Sequence, residues 1–395
     1  MKAKNIATIL LLVFAGIMWC KQPVAAKERQ ELVLWSYYET QAQRTALDNM
    51  VRDFNQSQNS WHLSWKYVTM TGFIRKLSSA YTENDLPDMA ILDNPDMPVM
   101  IRLGMFEDIT ELAEKCGILS EYYPSIVRTV QYEDRIYGMP FNCNNTALIY
   151  NKEILEQAGV EAPSTWEELR TAARVLTNDK CQGFSICAMQ GEQGAFQILP
   201  WILSAGEEPD CLGGRGTEEA YEFFRNLIWD GSLSENCINL TQTDLGQEFV
   251  EGKIAIMQNG PWILPMLDDA GVDYGIVPIP GEEKRRAVLG GENIGILKGK
   301  NREGSLAFLE FCMSGDKMLE FCETAGVLPA RKDLAKEYVK KEEKMKVFEE
   351  QMETAVTRSE IPRWSSVSEK LTEGMFQTVT GEKTPKEIAR EIYGK

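Results

Sequence analysis

The sequence predicts an α/β protein of two lobes, each a mostly parallel sheet flanked by helices. Three observations lead there. Short apolar segments alternate with amphipathic helical ones. The alternation pauses and then restarts. And 395 residues exceed one ordinary domain, at roughly 100–200 residues per domain. A composition of 44% hydrophobic, 26% charged and 9% aromatic residues excludes a disordered tail, a collagen-like repeat and a disulfide miniprotein.

Leu32-Val33-Leu34-Trp35 is a short apolar strand. Leu47, Met50, Val51 and Phe54 follow at i, i+3, i+4 and i+7, one helical face. His62 to Val68 alternates as a strand does. Phe73, Leu77 and Ala80 share one side of a helix, and Asp88-Met89-Ala90-Ile91-Leu92 is a buried strand. Strand–helix–strand–helix–strand order implies a largely parallel sheet. The second round opens with a strand at Thr146 to Tyr150 and a capped helix start at Ser164-Thr165-Trp166-Glu167-Glu168. Strands at Lys253 to Met257 and Tyr274 to Pro278, a strand position at Gly295 and a helix from Gly304 to Met313 come next. Thr384-Pro385-Lys386-Glu387 combines an N-cap, proline at the first helical position and a closing glutamate. Residues 331–353 are rich in lysine and glutamate, as a solvated helix face is.

At the N-terminus, Lys2 and Lys4 precede an apolar run from Ile6 to Trp19, and Val24-Ala25-Ala26 offers small residues for cleavage. The run is shorter than the ~20 residues of a membrane span, so residues 1–26 are read as a signal peptide of an exported protein. Cys20 raises lipidation as a second option, although Trp19 fits poorly beside the cleaved bond.

Nine cysteines are present, and export permits disulfides. Cys181 with Cys187 and Cys211 with Cys237 are close enough in sequence to close loops, while Cys312 and Cys322 sit on helix faces; the full connectivity stays open. His62 is the sole histidine and there is no Cys-x-x-Cys pair, so no metal site is expected. The nucleophile elbow, the phosphate-binding loop and the dinucleotide fingerprint are all absent, and no cofactor is expected. Net charge is −17, and loss of the three lysines of residues 1–26 makes it −20. Such a charge argues against nucleic acid and anionic lipid as partners.

The ordered motifs resemble the family 1 extracellular solute-binding proteins, receptors of carbohydrate ABC importers. They are Leu32-Val33-Leu34-Trp35, Leu86-Pro87-Asp88-Met89, Gly104-Met105-Phe106-Glu107-Asp108-Ile109, Ile136-Tyr137-Gly138-Met139-Pro140, Leu148-Ile149-Tyr150-Asn151-Lys152, Ser164 to Leu169, Asn259-Gly260-Pro261-Trp262 and Gly290-Gly291-Glu292-Asn293. The resemblance spans Leu32 to Ile392. It implies a periplasmic-binding-protein type II fold, hinged, with a ligand cleft between lobes. Lobe one is expected to be residues 27–141 and 290–331, and lobe two residues 142–289 and 332–395. It further implies a monomer, a carbohydrate ligand, membrane permease subunits as partners and no catalytic residues.

A sugar ring has apolar faces and a hydroxyl rim, so aromatic side chains and planar polar groups at strand ends are its natural partners. Tyr37, Tyr38 and Glu39 follow the first strand; Asp93, Asn94 and Asp96 follow the buried one. Asn142 and Asn144 lie at the first expected crossing, and Glu292 and Asn293 follow the glycine pair at the second. By the resemblance, Phe196 and Gln197 match a segment that lines the family's second lobe, Trp262 aligns with a stacking residue, and Arg363 and Trp364 match the region of another stacking aromatic. Core packing is an equal reading for Trp35, Trp65, Trp166, Trp201 and Trp229. Leu92, Pro95 and Asn144 depart from the maltose-binding pattern, which puts maltose in doubt. Two alternatives remain: the same fold with a peptide or a polyamine, whose cations Glu39, Asp93, Asp96 and Glu292 could pair, and an exported glycosidase using two carboxylates.

Overall fold

The computed structural model describes residues 28–281 and 285–393. The segment read as a signal peptide, with Cys20, lies outside the described residues.

The first sheet begins as expected. Strand Gln30–Ser36 pairs in parallel with Trp61–Tyr67 on one side and Met89–Asp93 on the other. Helix Gln41–Ser57 covers it with Leu47, Met50, Val51 and Phe54, and helix Phe73–Glu83 with Phe73, Leu77 and Ala80. Met89–Asp93 is buried at every position, as a central strand covered on both faces should be. Strand Glu292–Ile296 then joins antiparallel to Met89–Asp93, and Met139–Pro140 closes the edge. The chain re-enters this sheet at the end where the parallel strands finish, so the returning strand runs the other way.

The second sheet has the order Tyr274–Val277, Ala147–Asn151, Ile254–Asn259, Gln182–Ser185. Only its last pair is parallel. The expectation of a mostly parallel sheet is therefore corrected for this lobe. Ala147–Asn151 leaves the hinge while Ile254–Asn259 returns toward it, and side-by-side pairing makes them antiparallel. Helices Glu192–Ser204, Arg215–Trp229, Trp364–Thr380 and Pro385–Tyr393 pack together beside this sheet. Glu192–Ser204 is buried from Gln193 onward.

Short ribbons join the two parts. Asn142–Cys143 pairs with Leu328–Pro329, Asn144 bridges to Gly290, and Val288–Leu289 pairs with Val356–Thr357. The Lys/Glu-rich stretch forms helices Lys332–Lys341 and Lys346–Met352, anchored by Leu334, Ala335, Tyr338, Phe348 and Met352.

Two further readings change. All eight described cysteines are free, so the loop closures 181–187 and 211–237 do not form; Cys187 and Cys237 are buried core thiols, while Cys211 is exposed. Trp229 is 71% exposed rather than core, with the Arg225 guanidinium over its ring at 4.6 Å. No helix among the described residues is long and apolar enough to cross a membrane.

Candidate functional site

A cavity of about 70 Å³, partly open to solvent, lies where the two sheets face each other. One wall is built from strand ends. Gln30–Ser36 delivers Tyr37, Glu39 and Thr40; Met89–Asp93 delivers Asp93; and Glu292–Ile296 begins directly opposite, with Glu292 in register with Asp93. Thr40 caps helix Gln41–Ser57 in a reciprocal box with Gln43, so both are held rigidly at the rim. The other wall is built from helix starts and a turn. Glu192, Gln193 and Phe196 occupy the first turns of helix Glu192–Ser204. Gln242 and Thr243 open helix Gln242–Val250, and Trp262 sits in the turn after strand Ile254–Asn259. Asn144, Gly290 and Gly291 form the back of the cleft. A Cβ on Gly290 would lie 2.1 Å from Asn144 Oδ1 and 2.7 Å from the Phe196 ring, so only glycine lets the hinge close this tightly.

The electrostatic centre is Arg358, whose side chain is 2% exposed. Its Nη2 and Nη1 donate to Asp93 at 2.8 and 3.0 Å, a fork on a carboxylate. Nη1 also donates to Glu192 Oε1 at 2.5 Å, Nη2 to Asn94 Oδ1 at 3.5 Å and Nε to the Leu289 carbonyl at 3.3 Å. The guanidinium lies 4.4 Å from the centre of the Phe196 ring. Glu192 is held in turn by Trp364 Nε1 at 3.0 Å and Ser368 Oγ at 2.8 Å. One arginine thus ties a strand end of the first sheet to a helix start beside the second.

Tyr37 donates its hydroxyl to Glu292 Oε1 at 2.9 Å. Burial, reinforced by the negative charge of Asp93, pushes the Glu292 carboxyl up to about 7; Asn142, Tyr37 and Arg358 pull the other way. Burial also raises Asp93, against the pull of Arg358, and raises Glu39, against Arg44. Trp262 and Phe196 lie with ring centres 6.2 Å apart and form an apolar shelf. Among the described residues no group of His, Cys, Asp or Glu is arranged to hold a metal ion.

A family model described as bacterial extracellular solute-binding protein matches residues 49–347. The chain belongs to that family. This solute-binding protein is 23% identical over 418 residues to a maltooligosaccharide ABC transporter solute-binding lipoprotein of Streptococcus pneumoniae, covering 97% of this chain and 92% of that one. It is 23% identical over 363 residues to an sn-glycerol-3-phosphate-binding periplasmic protein of Rhizobium meliloti, covering 83% and 80%. A solved solute-binding protein of Thermotoga lettingae, bound with α-D-tagatose, superposes with a TM-score of 0.85 at 22% identity, covering 92% and 97%. That likeness shows the two-lobed fold.

Seven of the fifteen residues singled out from sequence line the solute-binding protein's cavity: Tyr37, Glu39, Asp93, Asn144, Phe196, Trp262 and Glu292. The others stand elsewhere. Tyr38 and Asn142 bond to each other at 2.9 Å beneath Tyr37. Asn94 accepts from Arg358, and Gln197 accepts the Cys187 N–H at 2.9 Å inside the lobe. Asn293 donates to Thr129 at 2.9 Å, one strand position past Glu292 and so on the opposite face. Asp96 sits at the N-cap of helix Met97–Arg102 without making a side-chain cap bond. Arg363 is exposed with φ 56°, at the cap of helix Trp364–Thr380. Trp364 braces Glu192 instead of lining the cavity.

Arg358, Glu192, Gln193, Gln43, Gln242 and Thr243 were not singled out. Two signals were present in the sequence. Gly191 and Gly194 bracket Glu192 and Gln193, and a Cβ on Gly194 would meet the Met189 carbonyl at 2.1 Å, so this helix start is crowded. Thr241 and Asp244 make a capping box that places Gln242 and Thr243 on the first turn. Arg358 follows the two-residue strand Val356–Thr357, too short to be read as a strand.

Proposed function

We infer that this protein captures a carbohydrate in its interlobe cleft and delivers it to the membrane permease of an ABC importer. The observation that carries the reading is the character of the lobe-two wall. Trp262 and Phe196, with ring planes 34° apart, offer an apolar shelf, and Gln193, Gln242, Thr243 and Asn144 ring it with amide and hydroxyl groups. That combination suits the C–H faces and hydroxyl rim of a sugar. The names of the pneumococcal relative and the tagatose-bound structure support the same class.

We place residues 27–141 and 290–331 in one lobe and residues 142–289 and 332–395 in the other, a reading that the two separate sheets support. Delivery needs affinity and closure, not a reacting group, so the protein acts without catalysis and without a cofactor, as a monomer exported from the cell. Equilibrium dialysis with labelled mono- and oligosaccharides tests this, with each mixture chromatographed afterwards. Retention of an unaltered sugar is expected. Cleaved sugar in the chromatogram would replace the receptor with a glycosidase.

A further inference from the structure

The lining of the cleft is acidic and has no cation to spare; the nearby Arg44, outside the lining, donates to the Tyr38 carbonyl and covers the Tyr67 ring while partly offsetting Glu39. Glu39, Asp93, Glu192 and Glu292 line it, and Arg358 is the one basic side chain among the lining residues. A guanidinium has five N–H donors. Those of Arg358 are committed to Asp93 twice, Glu192, Asn94 and the Leu289 carbonyl. None remains for an anionic ligand. Glu39, Asp93 and Glu192 against one arginine leave the lining acidic even while Glu292 holds its proton, and the chain's net charge of −17 adds a field of the same sign.

Glu292 is the most exacting of the four. It is 6% exposed, its Oε1 takes the Tyr37 hydroxyl, and its Oε2 makes no hydrogen bond of good geometry, although the Asn142 amide, already donating to Tyr38, lies near enough to favour the ionised carboxyl. A buried carboxylate oxygen without a partner is unfavourable, and a donor brought by the ligand removes that cost. The relative named for sn-glycerol-3-phosphate makes the contrast clear, because a phosphate asks for free cationic donors.

We propose that the carbohydrate taken here carries a protonated amine, as an amino sugar or an oligosaccharide containing one, and that phosphorylated and uronic acid sugars are rejected. The inference rests on the carbohydrate reading above and narrows it. The amine meets the acidic strand-end wall, while the ring faces lie on the Trp262–Phe196 shelf.

The test is calorimetry on the full mature chain with the glucose, galactose and mannose series. Each is offered as neutral sugar, 2-amino sugar, N-acetylamino sugar, 6-phosphate and uronic acid, as monosaccharides and, where they exist, disaccharides, with spermidine alongside. An amino form is expected to bind at least about tenfold more tightly than its neutral and N-acetyl counterparts, with a margin that shrinks as salt rises. Glu39→Gln and Glu292→Gln should each narrow that ratio; Glu39 is only half-buried, so its variant reports even where the Glu292 variant folds poorly. Equal or weaker binding of the amino forms, or binding of a phosphorylated or uronic sugar, overturns this inference and leaves the carbohydrate receptor standing. Failure of every sugar to bind, with or without a response to spermidine, overturns the carbohydrate reading and this inference together.

Discussion

The two walls of the cleft are built from different elements and carry different groups. The first wall takes its groups from strand ends. Asp93 and Glu292 lie on paired strands, locked in register, and they bring charge. The second takes its groups from helix starts and one turn. Phe196, Gln193, Gln242, Thr243 and Trp262 bring apolar surface and neutral hydrogen bonding, and the one acid of this wall, Glu192, is paired with Arg358. Strand ends in a sheet covered on both faces are stiff, so they can hold acids whose burial is costly. Helix starts leave backbone N–H groups unpaired and favour small polar side chains. The acids without an arginine partner, Glu39 and Glu292, thus stand on one wall and the Trp262–Phe196 shelf on the other, with Arg358 as the joint between them.

Four experiments break or sharpen this contrast. Removing the joint has the largest effect. Arg358→Met leaves Asp93 and Glu192 without their counter-ion and should cost about 3–5 kcal/mol of stability in urea unfolding. Retention of wild-type stability would show that the fork on Asp93 contributes nothing net. Next comes the shelf: Trp262→Ala should weaken sugar binding by on the order of thirtyfold, the loss of one interface anchor. Unchanged affinity would take Trp262 out of the site.

A third test reads the acidic wall through pH. Folded, Glu292 keeps its proton up to about pH 7, whereas an ordinary glutamate loses it near 4.5. Between those values the folded chain binds the extra proton, so Glu292 makes stability fall as pH rises. Glu292→Gln should flatten that part of the stability profile, and the wild-type-minus-variant difference should level off above about pH 7. A difference that does not change with pH would mean Glu292 ionises normally. The smallest effect belongs to Trp229, which lies on the surface outside both walls. Trp229→Ser should leave sugar affinity unchanged and shift stability by no more than about 1 kcal/mol, the loss of its stacking with Arg225.

Legibility in the sequence followed the same division. The helix face of Leu47, Met50, Val51 and Phe54 and the buried strand before Asp93 were readable, because burial of one face imposes a period on the residues that form it. The strand-end candidates Tyr37, Glu39 and Asp93 were found for the same reason: once the strands are placed, their ends are known; Glu292 was found through the glycine pair before it. The second wall was half visible. Trp262 announced itself by its Asn259-Gly260-Pro261 turn, but Glu192 and Gln193 lay in a glycine-flanked stretch with no period. Arg358 was invisible because its role depends on Asp93, 265 residues away, and on Glu192, 166 residues away. Arg363 and Trp364 were the neighbours that motif matching reached instead. Asn293 was lost to strand alternation: its neighbour Glu292 faces the cleft, so Asn293 faces Thr129.

The central claim is that the two walls together hold one carbohydrate without changing it. The most direct measurement is calorimetric titration of the wild-type chain and Trp262→Ala, side by side, with the best-binding sugar of the panel, followed by chromatography of the cell contents. The account predicts one-to-one binding to the wild type, a much weaker response from Trp262→Ala, and the sugar recovered intact. Cleaved sugar, or equal binding by both proteins, would contradict it.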